Sequence, residues 1–426
     1  MSLNLDRRRF LRLMGSAVAG TFLSGAAGRS QSRRRPNFIL IFADDLGYGD
    51  ISGFGFKKSP YETPHLERMA AEGARLTSFY VPTPYCAPSR GTILTGRYPF
   101  RHGVVFNPCP DAGINDVGLP ASERTIAALL RDAGYATSCI GKWHLGHVPQ
   151  YLPRRRGFDE YLGILYSNDM RPVQLVENEE VVEYPVVQAT LTKRYTERAL
   201  DFVERCHRLD RPFFLYLPHA MPHKPLAASE DFYTPETPDD LYADVIRELD
   251  WSVGQILEKL KVLGIDDNTM VVFTSDNGPW YGGSTGGLRG MKGHTWEGGL
   301  RVPCIMWAPG RIPPGTTCDE IATTMDILPT FARLAGAEVP SDRVIDGHDI
   351  SDLMHGKKGA KSPTKAFYYY QHTHLQAVRA GRWKLHLPRP ADPPWTPNWA
   401  PHINEKDVIE ITEPMLFDLQ KDIGEQ

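Results

Sequence analysis

The 426-residue chain is poor in cysteine, carries no excess of either charge and lacks a long apolar run. Its six cysteines show no CxxC spacing, which argues against a structural zinc site or a dense disulfide framework. Lysine and arginine number 48 against 51 aspartates and glutamates, so nothing marks a nucleic-acid or bulk polyanion binder. Any anion recognition must therefore be local. The apolar stretch 13–27 is Gly/Ala-rich and too short for a membrane span. No internal repeat is visible, and the length suits one large domain plus a smaller one.

What is present begins with Arg7-Arg8-Arg9-Phe10-Leu11-Arg12 ahead of that stretch. Paired arginines followed by Phe-Leu resemble a bacterial twin-arginine export signal, and small residues around Ser24 and Gly28 suit cleavage. Residues 1–35 are expected to engage the export machinery and deliver the protein to the periplasm or beyond.

From residue 36 onward, strands and helices alternate. Residues 36–42 form a near-continuous apolar run, the pattern of a strand buried on both faces, which ends at Asp44-Asp45. Apolar runs at 136–140, 212–217, 270–273 and 302–307 read as further strands, and 74–81 as another. Thr63-Pro64 opens a helix closed by Gly73. Residues 122–132, 241–260 and 326–335 carry helical periodicity with glycine beyond their ends. Polar blocks recur at strand C-termini, where open α/β sheets place their ligands. The expectation is a three-layer α/β domain over 36–362 with a central, mostly parallel sheet. Strands near 367–370 and 377–386 suit a small antiparallel C-terminal subdomain over 363–426.

The chemistry centres on residues 82–99. Pro82 and Pro84 disfavour helix before Cys86, and Ser89 to Thr95 can start a short helix that Gly96 stops. Cys86 then lies at a helix N-terminus, where orphan N–H groups favour an anion. Two adjacent carboxylates, Asp44 and Asp45, ending a buried strand call for a divalent cation. With Asp276 and Asn277 at another strand end they offer hard oxygens, favouring Ca²⁺ over Mg²⁺ and excluding a soft metal. Lys142 and His144 follow the strand at 136–140, and His223 lies in a proline-stiffened loop. Lys292 sits in a glycine-dense stretch.

Cys86-Ala87-Pro88-Ser89-Arg90, extended by Leu94-Thr95-Gly96-Arg97-Tyr98-Pro99, resembles the signature of the formylglycine-dependent (type I) sulfatases of the alkaline phosphatase superfamily. The blocks around Asp44-Asp45, Lys142-Trp143-His144, Asp276-Asn277 and Lys292 to Gly299 resemble that family too, in its order. Leu416-Phe417-Asp418-Leu419 resembles its late Leu-Tyr-Asp-Leu block, after which the family continues with a helix, so the subdomain is expected to be incomplete here. The resemblance implies an alkaline-phosphatase-like sandwich that hydrolyses sulfate monoesters of a glycan or an aryl alcohol. It implies conversion of Cys86 to formylglycine by a maturation enzyme. One hydroxyl of the aldehyde hydrate then attacks sulfur, giving a sulfated enzyme, and the other expels sulfate. It further implies one Ca²⁺ held by Asp44, Asp45, Asp276, Asn277 and position 86. Arg90 would hold the hydrate, Lys142 a sulfate oxygen, His223 with Lys292 the leaving oxygen, and His144 the proton lost on collapse. A phosphonate or phosphate ester hydrolase on the same scaffold is the alternative, or a non-catalytic sulfated-glycan binder should Cys86 stay unmodified. His102, Asn168 and residues 369–374 are expected near the substrate.

Overall fold

The computed structural model describes residues 35–54, 59–234, 241–280, 282–391 and 410–426, so the expected export signal lies outside the described residues apart from Arg35. Strand β1 (Asn37–Ala43) is buried along its whole length, as its unbroken apolar run requires. Its alternate side chains point to opposite faces and seed two cores. Phe38, Leu40 and Phe42 pack with Ile126, Leu130 and Phe331, while Ile39, Ile41 and Ala43 pack with Leu66, Phe202 and Ile256.

That division sets three layers. Helices α1 (Pro64–Glu72), α4 (Leu191–Arg208) and α5 (Leu241–Val262) cover one face of the sheet. Helices α2 (Cys86–Thr95), α3 (Ile126–Asp132) and α6 (Ile327–Ala335) cover the other. Among the described residues the sheet has ten strands. Five run parallel side by side: β5 (Glu160–Gly163), β4 (Ala136–Ile140), β8 (Phe213–Pro218), β1 and β9 (Thr269–Ser275). Strand β10 (Cys304–Trp307) joins antiparallel to β9 and carries β2 (Ala74–Leu76), on which β11 (Thr316–Cys318) lies parallel at the edge. Antiparallel β6 (Leu175–Glu177) and β7 (Glu180–Glu183) extend the other edge. The mostly parallel α/β architecture is as expected.

Three elements differ from the sequence reading, the first being α2, which begins at Cys86 instead of Ser89. The stretch 74–81 breaks into β2 and a two-residue strand, β3 (Phe79–Tyr80), which pairs with β12 (Ala322–Thr323) in a separate small sheet. Helix α3 starts at Ile126 instead of residue 122, because the Thr125 side chain accepts from the Ala128 N–H and so caps it there.

Among the described residues the C-terminal region forms a four-stranded antiparallel sheet, β13 (Phe367–Gln371), β14 (His374–Ala380), β15 (Trp383–His386) and β16 (Met415–Asp418). A buried charge network ties it to the stretch after Lys292. Lys384 Nζ, fully buried, lies 3.0 Å from Glu297 and 2.8 Å from Glu425. Burial opposes both carboxylate charges. Lys384 and Arg301 overcome it at Glu297, held down to about 2, whereas burial prevails at Glu425, pushed up to about 7. Lys384→Met removes the cation that lies between these two carboxylates and leaves Arg301, on the Glu297 side, to offset them. It is expected to cost about 3–5 kcal/mol, read as a lower urea midpoint.

Candidate active site

Four adjacent parallel strands, β4, β8, β1 and β9, end on the same edge of the sheet, and each releases a polar block there. The block after β1 is Asp44-Asp45, and that after β9 is Asp276-Asn277; all four are essentially inaccessible to solvent. Asp45 adopts the left-handed region at φ +65°, as does His144 at φ +57°. Such backbone costs of order 1–3 kcal/mol at a non-glycine residue and marks a site that the surrounding fold over-determines. After β4, Gly141 at φ +134° lets the chain cross the end of β8. A Cβ there would sit 1.9 Å from the Pro218 carbonyl oxygen, the acceptor of the Lys142 N–H at 2.7 Å.

Helix α2 delivers the cysteine. Extended backbone at Tyr85 precedes it, Cys86 is its first residue, and Gly96 ends it at φ +71° by donating to the Thr92 carbonyl. All ten residues are buried, so this short helix is held by the core and not by its own propensity. Asn107 Oδ1 accepts from the Ala87 N–H at 3.0 Å, filling one of the orphan donors beside Cys86.

The charged groups converge on this helix end. Lys292 Nζ lies 3.2 Å from Cys86 Sγ and 2.7 Å from an Asp45 carboxylate oxygen. Lys142 Nζ reaches Asp44 Oδ2 at 2.5 Å and Ser167 Oγ at 3.0 Å. The Arg90 guanidinium is committed to Asp276 at 2.9 Å, to Asp44 at 3.5 Å and to the Lys142 carbonyl at 2.8 Å. Asp276 also accepts from the Asp45 N–H, and Asn277 Nδ2 donates to Asp45 at 2.7 Å. Burial and the charge of Asp44 push the Asp276 carboxyl up to about 7. Burial also opposes the Asp44 charge, yet Lys142 and Arg90 hold that carboxyl well below the usual range. Burial raises the Cys86 thiol despite Lys142 and Lys292, so the unmodified side chain is a neutral thiol and a poor nucleophile.

Both histidines favour the neutral form. Burial lowers His144, reinforced by Lys142 and Arg90, and burial lowers His223, reinforced by Lys292. His144 Nε2 donates to the Pro108 carbonyl at 3.3 Å, and its buried Nδ1 has no partner among the described residues. His223 Nδ1 faces two acceptors, Asn168 Oδ1 at 2.9 Å and the Lys224 carbonyl at 2.6 Å. The Nδ1 proton is thereby fixed, and Nε2 lies 3.7 Å from Asp45.

Asp44, Asp45, Cys86, Arg90, Lys142, His144, His223, Asp276, Asn277 and Lys292 thus lie in one cluster. Two further expectations are corrected. Asn168 is fully buried with its amide spent on His223, Gln188 and the Pro225 carbonyl, so it orients a histidine and does not meet substrate. His102 is buried against Gly91 and bonded to Thr92 and the Val104 N–H, a packing role behind α2. Ser167 and Asn107 escaped sequence reasoning because a lone neutral polar residue in a loop carries no periodicity or charge signal.

The donor set fits a hard divalent cation. Asp44 Oδ1 and Asn277 Oδ1 are buried and accept no hydrogen bond among the described residues, and carboxylate oxygens of Asp44 and Asp276 cluster with Cys86 Sγ within 4.8 Å. Three carboxylates face three fixed cations, so a bound divalent ion would leave the site net positive and receptive to an anionic ester.

A mostly parallel α/β sheet whose strand ends gather hard oxygens, cations and a helix-borne cysteine defines a hydrolase of the alkaline-phosphatase-like class. Within it, the chain belongs to the sulfatase family: the sulfatase family model matches residues 36–337, and the model for the C-terminal region of aryl-sulfatase matches 362–426. It is 39% identical to N-acetylgalactosamine-6-sulfatase of Canis lupus familiaris, across 94% of this chain and 82% of that relative. It is 38% identical to human arylsulfatase A, across 96% of this chain and 86% of that protein. Among solved structures it is similar to Ps i-CgsB, with a TM-score of 0.77 at 32% identity, covering 92% of this chain and 88% of that one. The protein is a sulfatase.

Proposed function

We propose that this sulfatase removes sulfate from a sulfated carbohydrate, with position 86 acting as formylglycine and Ca²⁺ bound beside it. The observation that carries the reading is the meeting of Asp44, Asp45, Asp276 and Asn277 with Arg90, Lys142 and Lys292 around Cys86. The carbohydrate is supported by relatives whose names specify a sulfated amino sugar and by Ps i-CgsB, which is known in complex with k-i-k-neocarrahexaose. Export by the twin-arginine route fits a polymeric substrate met outside the cell, after a maturation enzyme has acted on Cys86. No helix of the described residues is long and apolar enough to cross a membrane.

As an aldehyde hydrate, position 86 would supply one hydroxyl to attack sulfur and a second to support sulfate release, so no second attack at sulfur is needed. Ca²⁺ held by the four oxygen ligands would polarise sulfuryl oxygens and make a hydroxyl at position 86 more acidic. The remaining work falls to the chain. Lys142 and Lys292 balance the charge of the bound ester, and Arg90 keeps Asp44 and Asp276 in place. His223, oriented by Asn168, offers Nε2 to the leaving oxygen alongside Lys292. A neutral His144 with its proton on Nε2 has a basic Nδ1 free to accept the proton lost when sulfate departs.

Three measurements test this. Turnover of a panel of sulfated monosaccharides and 4-nitrophenyl sulfate identifies the substrate class; activity on none of them contradicts the reading. Chelation should lower kcat/KM by roughly 10²–10³-fold, restored by Ca²⁺. Ca²⁺ at about 100 times its Kd should also stabilise the chelated protein by about 2.7 kcal/mol, and this gain should vanish in Asp276→Asn.

A further inference from the structure

The loop 105–108 grips three parts of the site. The Val105 carbonyl accepts from His372 Nδ1 at 2.9 Å, Asn107 from the Ala87 N–H at 3.0 Å, and the Pro108 carbonyl from His144 Nε2 at 3.3 Å. Between these anchors Phe106 is 48% exposed, an aromatic ring held on the rim. The hairpin joining β13 and β14 meets this loop. Gln371 Nε2 donates to the carbonyl of Gly293, the residue after Lys292, at 2.8 Å and to the Tyr85 hydroxyl at 3.3 Å. The His372 ring stacks on Tyr85, the residue before Cys86, with centroids 4.6 Å apart and planes at 15°. Its other neighbour is Phe106, at 4.8 Å and 32°.

His372 is costly to build. It is held at φ +54° and is 6% exposed. The Val105 carbonyl fixes the proton on Nδ1, which leaves Nε2 a lone-pair acceptor. That atom is buried and without a partner among the described residues. Buried acceptors are ordinarily satisfied, and one left over beside an active site calls for a donor.

We propose that Phe106 and His372 form the wall on which the sulfate-bearing sugar docks, with His372 Nε2 accepting a hydrogen bond from a sugar hydroxyl. A pyranose ring offers both complements, an apolar C–H face for the aromatic ring and hydroxyl donors at its edge. An aryl sulfate offers a ring but no donor. The wall therefore sets specificity, and it rests on the carbohydrate reading above.

The test uses the full-length mature enzyme and the best-hydrolysed sulfated monosaccharide of the panel. His372→Phe keeps a ring between Tyr85 and Phe106 and removes the acceptor together with the Nδ1 donor to the Val105 carbonyl, a loss that both substrates feel alike. Its kcat/KM on the sugar sulfate should fall about 10-fold, mainly through KM, as for the loss of one satisfied buried hydrogen bond. Hydrolysis of 4-nitrophenyl sulfate and inhibition by inorganic sulfate should change less than about twofold. Phe106→Ala, at an exposed position that does not threaten folding, should raise KM for the sugar by about fivefold and leave sulfate inhibition unchanged. Equal losses on both substrates in His372→Phe, or an unchanged sugar KM in Phe106→Ala, would overturn the proposal. A wild-type enzyme that cleaves 4-nitrophenyl sulfate but no sugar sulfate would overturn the carbohydrate reading itself, a different outcome from wall variants without effect.

Discussion

Cys86→Ala is expected to reduce kcat/KM for any sulfate ester by on the order of 10⁵-fold or more, because it removes the nucleophile and not merely a group that assists it. The fold should survive. Position 86 is almost fully buried, but the change deletes a single sulfur atom at the first residue of a helix that is buried on every side. The cost should stay near 1 kcal/mol, visible as a small shift of the urea midpoint. The complementary measurement is peptide mass spectrometry of active wild-type protein made with a maturation enzyme, where an aldehyde should replace the thiol. The buried thiol is neutral even with Lys292 3.2 Å away, so an unmodified cysteine would have to attack an anionic ester as its weaker nucleophilic form. Active enzyme carrying only intact cysteine would sink the proposed nucleophile.

The second large effect separates the histidines. A sugar alkoxide is strongly basic and needs a proton on leaving, whereas a nitrophenolate departs unaided. General acid assistance is worth about 10²–10⁴-fold. His223→Ala should therefore damage sugar-sulfate hydrolysis by that factor and nitrophenyl sulfate far less. Burial and Lys292 lower the His223 pKa, which makes its protonated form scarce but a strong acid. His144→Ala should affect both substrates alike, because it acts after the alcohol has gone, and single-turnover traces should show a burst of released alcohol. Equal leaving-group sensitivity in both variants, or a burst confined to His223→Ala, would require the roles to be exchanged.

Much of the site was legible before the fold. Asp44-Asp45 and Asp276-Asn277 stand out because each lies at the end of an apolar strand, and a buried strand that ends in charge needs a reason. Cys86 stands out because prolines precede it and it sits at the mouth of the short helix that Gly96 terminates. These are local signals, carried by residues adjacent in the chain. The neutral helpers gave no such signal. Ser167 and Asn107 are unremarkable loop residues, and Asn168 looked like a substrate contact until its amide proved to be spent on His223, 55 residues away.

Hydrophobic period, caps and breakers act over a few residues, so most elements, their alternation and the strand ends that carry polar blocks follow from local sequence. Which remote groups neutralise one another follows only from the packed fold. Lys292 meets Cys86 across 206 positions, and Arg90 meets Asp276 across 186. It likewise decided that Lys384 in the C-terminal sheet bridges Glu297 and Glu425, and that His372 stands between Tyr85 and Phe106. The physical reason is that a buried charge or acceptor must find a partner wherever packing brings one, and packing is set by the whole sheet rather than by neighbours in the chain.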